Sequence, residues 1–334
     1  MSTTLLLQPP TTSTPQTTLA LAQQAAPFFA AQSTWLSALP YPLNLLINTE
    51  SQEKWVTHEN LFLACLRTGD TASASRALEA LTARFGKTNE RVLVLWGLYQ
   101  EATASNQAEL EEVMKSYDEI LREDPTVFGI RKRRAALLKS VGKPTEAIGD
   151  LIKLLDASPT DAEAWAELAD LYVAQGAYEQ AVYCLEEVLL VTANAWNMHA
   201  RLGEVLFLSA SKTEAAAGER LKTLSESMRR FCRSVELCEG YLRGYYGLKI
   251  TTDRLLETLE GVRKPQTASA DPVTGELAPP SLEAVKKLNQ LATAKLAEIV
   301  RRGSAGEKGW DGYSPAELSA ARDLLDRDTQ KIQR

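Results

Sequence analysis

Small and apolar residues recur at steps of three and four along residues 162–190, which read AEAWAELADLYVAQGAYEQAVYCLEEVLL. Such steps place each set of residues on one face of a helix. The pattern therefore predicts two amphipathic helices joined at Gly176, where a positive φ closes the turn. The predicted core positions are Trp165, Leu168, Ala169 and Tyr172 in the first helix, and Ala181, Leu185 and Val188 in the second.

The same pattern occurs 34 residues earlier in the chain. Gly142 corresponds to Gly176, and Ala147, Leu151 and Leu154 correspond to the core positions of the second helix. More degenerate copies of the second helix occur at Ala74/Leu78/Leu81, Val113/Tyr117/Ile120 and Ser227/Phe231/Ser234. A 34-residue period of two such helices is typical of tetratricopeptide repeats. The sequence therefore predicts an all-α fold, a right-handed solenoid of helix hairpins with terminal helical caps.

The residue types at these positions have physical reasons. Ala169 and Ala181 are small because the two helices of a hairpin approach closely there, and larger side chains fill the space on either side. Pro159 ends the preceding helix, and Thr160 with Glu163 predicts a capping box at the start of the next one. The alternative is two unrelated amphipathic helices in a bundle, and the repeated 34-residue spacing argues against it.

Composition divides the chain into four predicted segments. Residues 1–33 are rich in Thr, Ser, Pro and Gln and are predicted to be disordered. The solenoid is assigned to residues 34–260, with an inserted loop or helix extension at 209–220. Residues 261–280 are a predicted flexible linker, since they combine Pro, Thr, Ser and Asp. Two C-terminal helices are expected within residues 281–334.

Charge and composition argue against several classes of function. The net charge of −6 provides no basic field for nucleic acid or an anionic membrane, and no apolar run is long enough to span a bilayer. Two distant histidines and four cysteines without paired spacing argue against a metal site and favour reduced thiols in the cytosol. No motif of a nucleophile, a phosphate-binding loop or a dinucleotide site occurs, so we expect no catalysis and no cofactor.

A partner-binding surface is predicted on the first helices of the repeats. In a curved solenoid, residues of these helices that point away from the hairpin contact line the concave side. A face without any partner is the alternative reading of the same positions. The candidate partner-binding residues are Lys132, Lys139, Glu163, Asp170, Val173, Asn197, Glu204 and Phe207.

The basic run Arg131–Arg134 has two readings. A cluster of cations can bind phosphates or acidic lipid headgroups. By the 34-residue spacing, however, Arg131 takes the position of Trp165, and Arg134 takes that of Leu168. Both side chains should then lie along the contact between helices and reach acidic residues or water with their charged ends. We favour this structural or subunit-contact role over lipid binding.

The segment KGWDGYSP at residues 308–315 also has two interpretations. Exposed Trp310 and Tyr313 would make a suitable interface anchor. Equally, the segment is a surface turn that packs its own aromatic side chains.

Three segments carry a resemblance to a known family. These are residues 54–85, residues 117–148 with ILREDP and RKRRAALLK, and residues 161–190 with EAWAELADLY. Together they resemble the family of subunit 2 of the endoplasmic reticulum (ER) membrane protein complex. The resemblance covers roughly residues 54–250 and implies a non-catalytic scaffold, peripheral on the cytoplasmic face of the ER. It further implies support for insertion of tail-anchored and multipass proteins. The implied partners are cytosolic segments of membrane-embedded subunits and a soluble MPN-like subunit.

Two other functions compete with this scaffold. The first is a co-chaperone, or another peptide-binding adaptor, whose groove holds the C-terminal carboxylate of a chaperone. Such a clamp needs Lys and Asn at set positions; Lys132 is present, but Ala136 stands in place of Asn, and Glu167 would repel the carboxylate. The second is an enzyme whose catalytic residues are brought together only by the fold, which would need a deep pocket with clustered titratable groups.

Overall fold

The computed structural model describes residues 6–7, 14–32, 51–212, 217–261, 278–310 and 312–332. Every regular element in these ranges is a helix. In chain order the helices are α1 (Pro15–Ala22), α2 (Ala25–Gln32), α3 (Gln52–Thr68), α4 (Thr71–Phe85), α5 (Glu90–Thr103), α6 (Gln107–Glu123), α7 (Phe128–Ser140), α8 (Pro144–Ala157), α9 (Ala162–Ala174), α10 (Tyr178–Val191), α11 (Trp196–Lys212), α12 (Ala217–Leu237), α13 (Leu242–Gly261), α14 (Leu282–Ser304) and α15 (Pro315–Ile332). The chain forms two compact units, residues 1–157 and 158–334.

In the first unit, helices pair as antiparallel hairpins. Helices α3 and α4 are joined at Gly69, whose φ of 80° closes the turn, and Asp70 caps α4 by accepting a hydrogen bond from the Ser73 amide at 3.1 Å. Phe62 and Leu78 are fully buried between these helices. Such a pair cannot bury its whole apolar surface by itself, so the next helices stack on it.

The prediction that residues 1–33 are disordered is wrong for residues 14–32. These residues form α1 and α2, and Leu21 and Ala25 are buried in the same core as α3 and α4. Asn60 of α3 also donates a hydrogen bond to the Leu6 carbonyl at 2.9 Å. Burial of these apolar side chains on the first hairpin outweighs the polar composition of the segment.

In the second unit, α9 and α10 form the hairpin predicted from residues 162–190. All of the predicted small and aliphatic core positions, Leu168, Ala169, Ala181, Leu185 and Val188, are buried. Trp165 and Tyr172 are half-buried, and the Trp165 ring meets Tyr183 edge-on at 5.9 Å. The φ of Gly176 is 76°, which confirms the left-handed turn.

The predicted capping box of Thr160 and Glu163 is wrong by one residue. The N-cap of α9 is Asp161, whose carboxylate accepts a hydrogen bond from the Ala164 amide at 3.0 Å. A carboxylate in this position also stabilises the positive end of the helix dipole, so Asp161 is a better cap than the Thr160 hydroxyl.

Helices α11, α12 and α13 continue the second unit. In the predicted insertion at 209–220, α11 runs to Lys212 and α12 begins at Ala217, so the described residues of this segment extend the two helices. Phe231 fills the core position predicted for it, and a methyl group added to Gly203 would lie 3.0 Å from its ring. The Ser227 hydroxyl donates to the Gly203 carbonyl at 2.7 Å, which accounts for a serine at a buried position.

Two C-terminal helices complete the second unit. Ser281 caps α14 through the Ala284 amide at 3.2 Å, and Val285, Leu296 and Ile299 are buried along one face. The first residue of the predicted linker 261–280 belongs to α13, and residues 262–277 lie outside the described part of the chain.

The aromatic segment before α15 packs against the second unit of the same chain. Trp310 and Tyr313 are half-buried against the core of the second unit. The Arg302 guanidinium lies 4.9 Å from the centre of the Trp310 ring, and the Tyr313 hydroxyl donates to the Gly240 carbonyl at 2.7 Å. The structure therefore favours a packed surface turn over an exposed interface anchor.

None of the helices within the described ranges combines the length and the apolar character that a bilayer span requires.

Candidate partner-binding groove

A groove of about 680 Å³ lies in the second unit, between helices α9, α11, α13 and α15. Apolar side chains form most of its surface. The apolar and small residues that line it include Ala166, Met198, Ala200, Phe207, Tyr246 and Ile250, with Leu185 and Phe231 behind them. A concave apolar surface of this size fits part of an extended or helical peptide.

Ion pairs between helices border the groove. Arg201 of α11 contacts Asp170 of α9 at 2.7 Å and Glu204 of its own helix at 2.8 Å. Burial lowers the pKa of the Arg201 guanidinium, but the hydrogen bonds and charges of the two carboxylates outweigh burial and raise it above the usual value. Arg201 therefore stays charged and ties α9 to α11.

A second ion pair connects the C-terminal helix to the groove. Arg243 of α13 contacts Glu317 of α15 through Nε and Oε1 at 2.7 Å. The hydrogen bond with Glu317 raises the pKa of Arg243. Ala320, one turn after Glu317, also lines the groove. Thus α15 closes one side of the groove and brings an acidic residue to its border.

The structure brings together only part of the predicted partner-binding set. Four of the predicted residues line this groove: Asp170, Asn197, Glu204 and Phe207. Glu163 and Val173 lie on α9 in the same unit but not among the lining residues. Lys132 and Lys139 belong to α7 of the first unit.

Sequence reasoning missed Arg201, Arg243, Tyr246 and Glu317. The last step of the repeat is longer than 34 residues. The small core position of the second helix recurs 46 residues later, at Ser227 instead of 34 residues after Ala181. Adding the same 46 residues to Asn197, Ala200 and Glu204 gives Arg243, Tyr246 and Ile250, and all three line the groove. The 46-residue step could therefore have identified Arg243 and Tyr246 from the sequence. Glu317 lies on a capping helix outside the repeat, so no spacing identifies it.

The basic run on α7 is occupied by contacts within the first unit. Arg134 contacts Asp118 at 2.7 Å and forms a shorter ion pair with Asp150, whose carboxylate is buried. Arg133 pairs with Glu101, which also accepts a hydrogen bond from the buried Tyr117 hydroxyl at 2.6 Å.

Arg131 completes this pattern by donating to the Pro125 carbonyl at 3.2 Å. Arg134 thus reaches acidic residues of its own unit, as the structural interpretation predicts, whereas Arg131 bonds to a backbone carbonyl instead of an acidic residue.

Burial shifts the pKa of several histidines and cysteines within the described ranges. Burial lowers the pKa of both His58 and His199, and it raises the pKa of Cys65 to about 11 and that of Cys184 to about 12. These thiols are therefore poor nucleophiles near neutral pH. Within the described residues, no group of three or more His, Cys, Asp or Glu side chains has the geometry of a metal site.

Known proteins resemble this chain both in sequence and in structure. The sequence profile of the family described as "EMC2 TPR-like repeat domain" matches residues 96–222. The TPR repeat protein oca3 of Schizosaccharomyces pombe is 37% identical over 243 residues, which cover 73% of this chain and 82% of that protein. This chain belongs to the EMC2 family of tetratricopeptide-repeat proteins.

Relatives in this family extend to animals and budding yeast. ER membrane protein complex subunit 2-A of Xenopus laevis is 31% identical over 198 residues, or 59% of this chain and 62% of the relative. Subunit 2 of Saccharomyces cerevisiae is 25% identical over 203 residues, or 59% of this chain and 68% of the relative.

Among solved structures, the C-terminal part of a TPR repeat-containing protein from Cytophaga hutchinsonii aligns with a TM-score of 0.50. It covers 90% of this chain and all of that chain, at 12% identity. At this identity the likeness supports the tetratricopeptide fold and carries nothing further.

Proposed function

We propose that this chain is a non-catalytic scaffold subunit of an ER membrane protein complex, peripheral on the cytoplasmic face of the ER. Membership in the EMC2 family supports the proposal, because relatives in frog and yeast bear the name of that complex. In this role the chain supports the insertion of tail-anchored and multipass proteins by holding other subunits together.

The observation that carries the proposal is the groove of the second unit. Its apolar surface provides binding energy in proportion to the area that a partner covers, and the ion pairs at its border provide polar groups that fix orientation. We assign it to a cytosolic segment of a membrane-embedded subunit. A soluble MPN-like subunit occupies another surface of the scaffold. Glu163, Val173, Lys132 and Lys139 remain candidate contacts of such partners.

The chemistry of the groove also supports binding over catalysis. Its carboxylates Asp170, Glu204 and Glu317 each contact an arginine, so their oxygens are already engaged in ion pairs. A general acid or base must lie within hydrogen-bond reach of the proton that it transfers, and a carboxylate oxygen already bonded to an arginine is less available for that task.

The test is affinity purification of the tagged full-length chain from ER membranes of cells that express it, followed by mass spectrometry. The proposal predicts recovery of several multispanning proteins and a soluble subunit in fixed ratio to the chain. Recovery of chaperones alone would contradict it. Saturable low-micromolar binding of a peptide ending in EEVD would then support the co-chaperone instead.

The groove is tested by the double substitution Phe207→Ala and Tyr246→Ala. It removes two large side chains that line the groove, so the area available to a partner decreases. We expect the recovered multispanning proteins to decrease several-fold. The control is Leu291→Ala on α14, which removes an exposed apolar side chain outside the groove. Equal recovery with both variants, at equal melting temperature, would exclude the groove as the partner site.

A further inference from the structure

The outer face of α10 carries large apolar side chains in contact with solvent. Tyr183 is 56% exposed and Leu190 77% exposed, and the next residue, Val191, is also exposed. Single exposed apolar residues are ordinary, but steps of seven and eight residues place these on one face of the helix. We define the α10 surface as the face that carries Glu179, Tyr183, Glu186, Glu187, Leu190 and Val191.

This surface is separate from the groove of the second unit. Leu185 of the same helix lines the groove, and residues two positions apart on an α-helix, such as Tyr183 and Leu185, are about 200° apart around its axis. Tyr183 therefore points away from the groove side of α10. None of the residues that define the α10 surface lines the groove. A partner on one site leaves the other accessible.

The Tyr183 ring of the α10 surface is supported by a neighbouring aromatic side chain. The Trp165 ring meets Tyr183 edge-on at 5.9 Å, with an interplanar angle of 80°. Interaction with the neighbouring Glu187 raises the pKa of the Tyr183 hydroxyl. Aromatic side chains held in place lose little conformational freedom on binding, which makes them effective interface anchors.

Acidic side chains accompany this apolar stripe. Glu179 and Glu186 are exposed, and Glu187 is half-buried between Tyr183 and Leu190 along the helix. Glu186 forms an ion pair with Arg230 at 3.6 Å, which leaves the two other carboxylates of the surface in excess over this cation. The three carboxylates give the α10 surface a negative charge beside its apolar side chains, so a complementary partner brings positive charge.

The negative charge of the α10 surface disfavours two classes of binding partner. A second copy of the chain in a two-fold contact would bring the same glutamates against one another, since an isologous interface uses one patch on both subunits. An anionic membrane surface would be repelled by the glutamates and by the net charge of −6. Neither occupant complements the surface.

We infer that the α10 surface binds an amphipathic helix of another protein, whose apolar face is bordered by Lys or Arg. The fourteen residues of α10 form a straight ridge about 21 Å long, at about 1.5 Å per residue. A helix of similar length packs its own ridge of apolar residues along this one. Its cations then face Glu179, Glu186 and Glu187.

The test uses a fluorescent synthetic helix of Leu and Lys as the probe, with Leu at helical spacing, and the full-length chain as the receptor. A control probe has Glu in place of every Lys. Fluorescence anisotropy should show saturable binding of the Lys probe at least about tenfold tighter than that of the Glu probe, because only the former complements the charge. Equal affinity for both probes would overturn the inference.

Substitutions locate the binding site. Tyr183→Ala with Leu190→Ala should weaken binding of the Lys probe about tenfold, without changing the melting temperature, because both side chains are exposed. The matched control, Leu282→Ala with Leu291→Ala, removes two exposed apolar side chains from α14 and should leave binding unchanged. Unchanged binding to the α10 variant, or equal loss in both variants, would overturn the inference.

The remaining alternative is a second copy. Light scattering should show that the wild-type chain remains a monomer at the concentrations of the titration. A dimer that Tyr183→Ala with Leu190→Ala dissociates would assign the α10 surface to self-association and would overturn the inference.

Discussion

Small residues at the hairpin contacts are the individual positions on which the fold depends most. Ala169 and Ala181 are buried where α9 meets α10. One repeat later, Gly203 takes the position of Ala169, and the Phe231 ring occupies the space that a larger side chain would need. Close contact between the two helices of a hairpin therefore requires a small residue at Gly203 as well as at Ala169.

The substitution Ala181→Leu tests this contact. Three added carbon atoms have no space at a fully buried position, so we expect a loss of about 1–3 kcal/mol in the free energy of unfolding. The control is Ala174→Leu at the exposed end of α9, which should change stability little. Urea unfolding of both variants is the measurement. An unfolding free energy of Ala181→Leu equal to that of the wild type would mean that the proposed repeat alignment is wrong.

Arg134 should matter more for stability than a surface arginine. Arg134→Met leaves the Asp150 carboxylate buried without its ion-pair partner, which should cost about 3 kcal/mol. In the control, Arg91→Met removes an exposed arginine paired with Glu59 and should cost about 1 kcal/mol or less. Chemical denaturation compares the two variants, and equal losses would contradict the structural role of the basic run.

Two histidines should make stability depend on pH. Burial lowers the pKa of His58 and His199 in the folded chain below the value of 6.5 that an exposed histidine has. Below about pH 6.5 the unfolded chain binds protons that the folded chain does not, so the free energy of unfolding decreases as the pH falls. Above that pH both states are neutral and the effect vanishes.

Replacing His58 tests this expectation. His58→Gln should remove part of the decrease in unfolding free energy between pH 7.5 and pH 5.5, as about 1.4 kcal/mol accompanies each full pKa unit of difference. Urea titrations at the two pH values measure the change. An identical decrease in the variant and the wild type would show that His58 is not held neutral by burial.

Helices and their turns were predictable from sequence where a local rule applies. The positive φ at Gly142 and Gly176 follows from the break in the repeat pattern. The cap at Asp161 was misplaced by one residue, since Thr160 and Asp161 are both good caps and only packing decides between them. Helices α1 and α2 were missed because contacts with α3 stabilise them, and composition does not reveal such contacts.

A pair of glycines in the first unit tests the turn. Gly142 has a φ of 78° with no atom near the position of an added methyl group, so Gly142→Ala should cost about 1 kcal/mol through backbone strain alone. Gly149 lies inside α8 with equally open surroundings, and Gly149→Ala should gain about 0.5–1 kcal/mol. Thermal unfolding should therefore shift in opposite directions; shifts in the same direction would contradict the account.

For the molecule as a whole, the repeat spacing indicates the fold and part of the groove. Positions shifted by one period identify Asp170 and Glu204, and the longer period at the insertion leads to Arg243 and Tyr246. The division into two compact units was not predictable, because the same repeat pattern runs through both. Nor was Glu317, since its contact with Arg243 joins helices that no period relates.

We propose above all that the groove of the second unit holds a segment of a membrane-embedded partner. Photocrosslinking tests it most directly, with a photoreactive amino acid at Asn197 in the groove or at Leu291 on α14 as the control. In cells, position 197 should crosslink to one multispanning protein, and position 291 should not. Crosslinking at position 197 to chaperones alone, or to no protein while the chain still co-purifies with multispanning proteins, would contradict the claim.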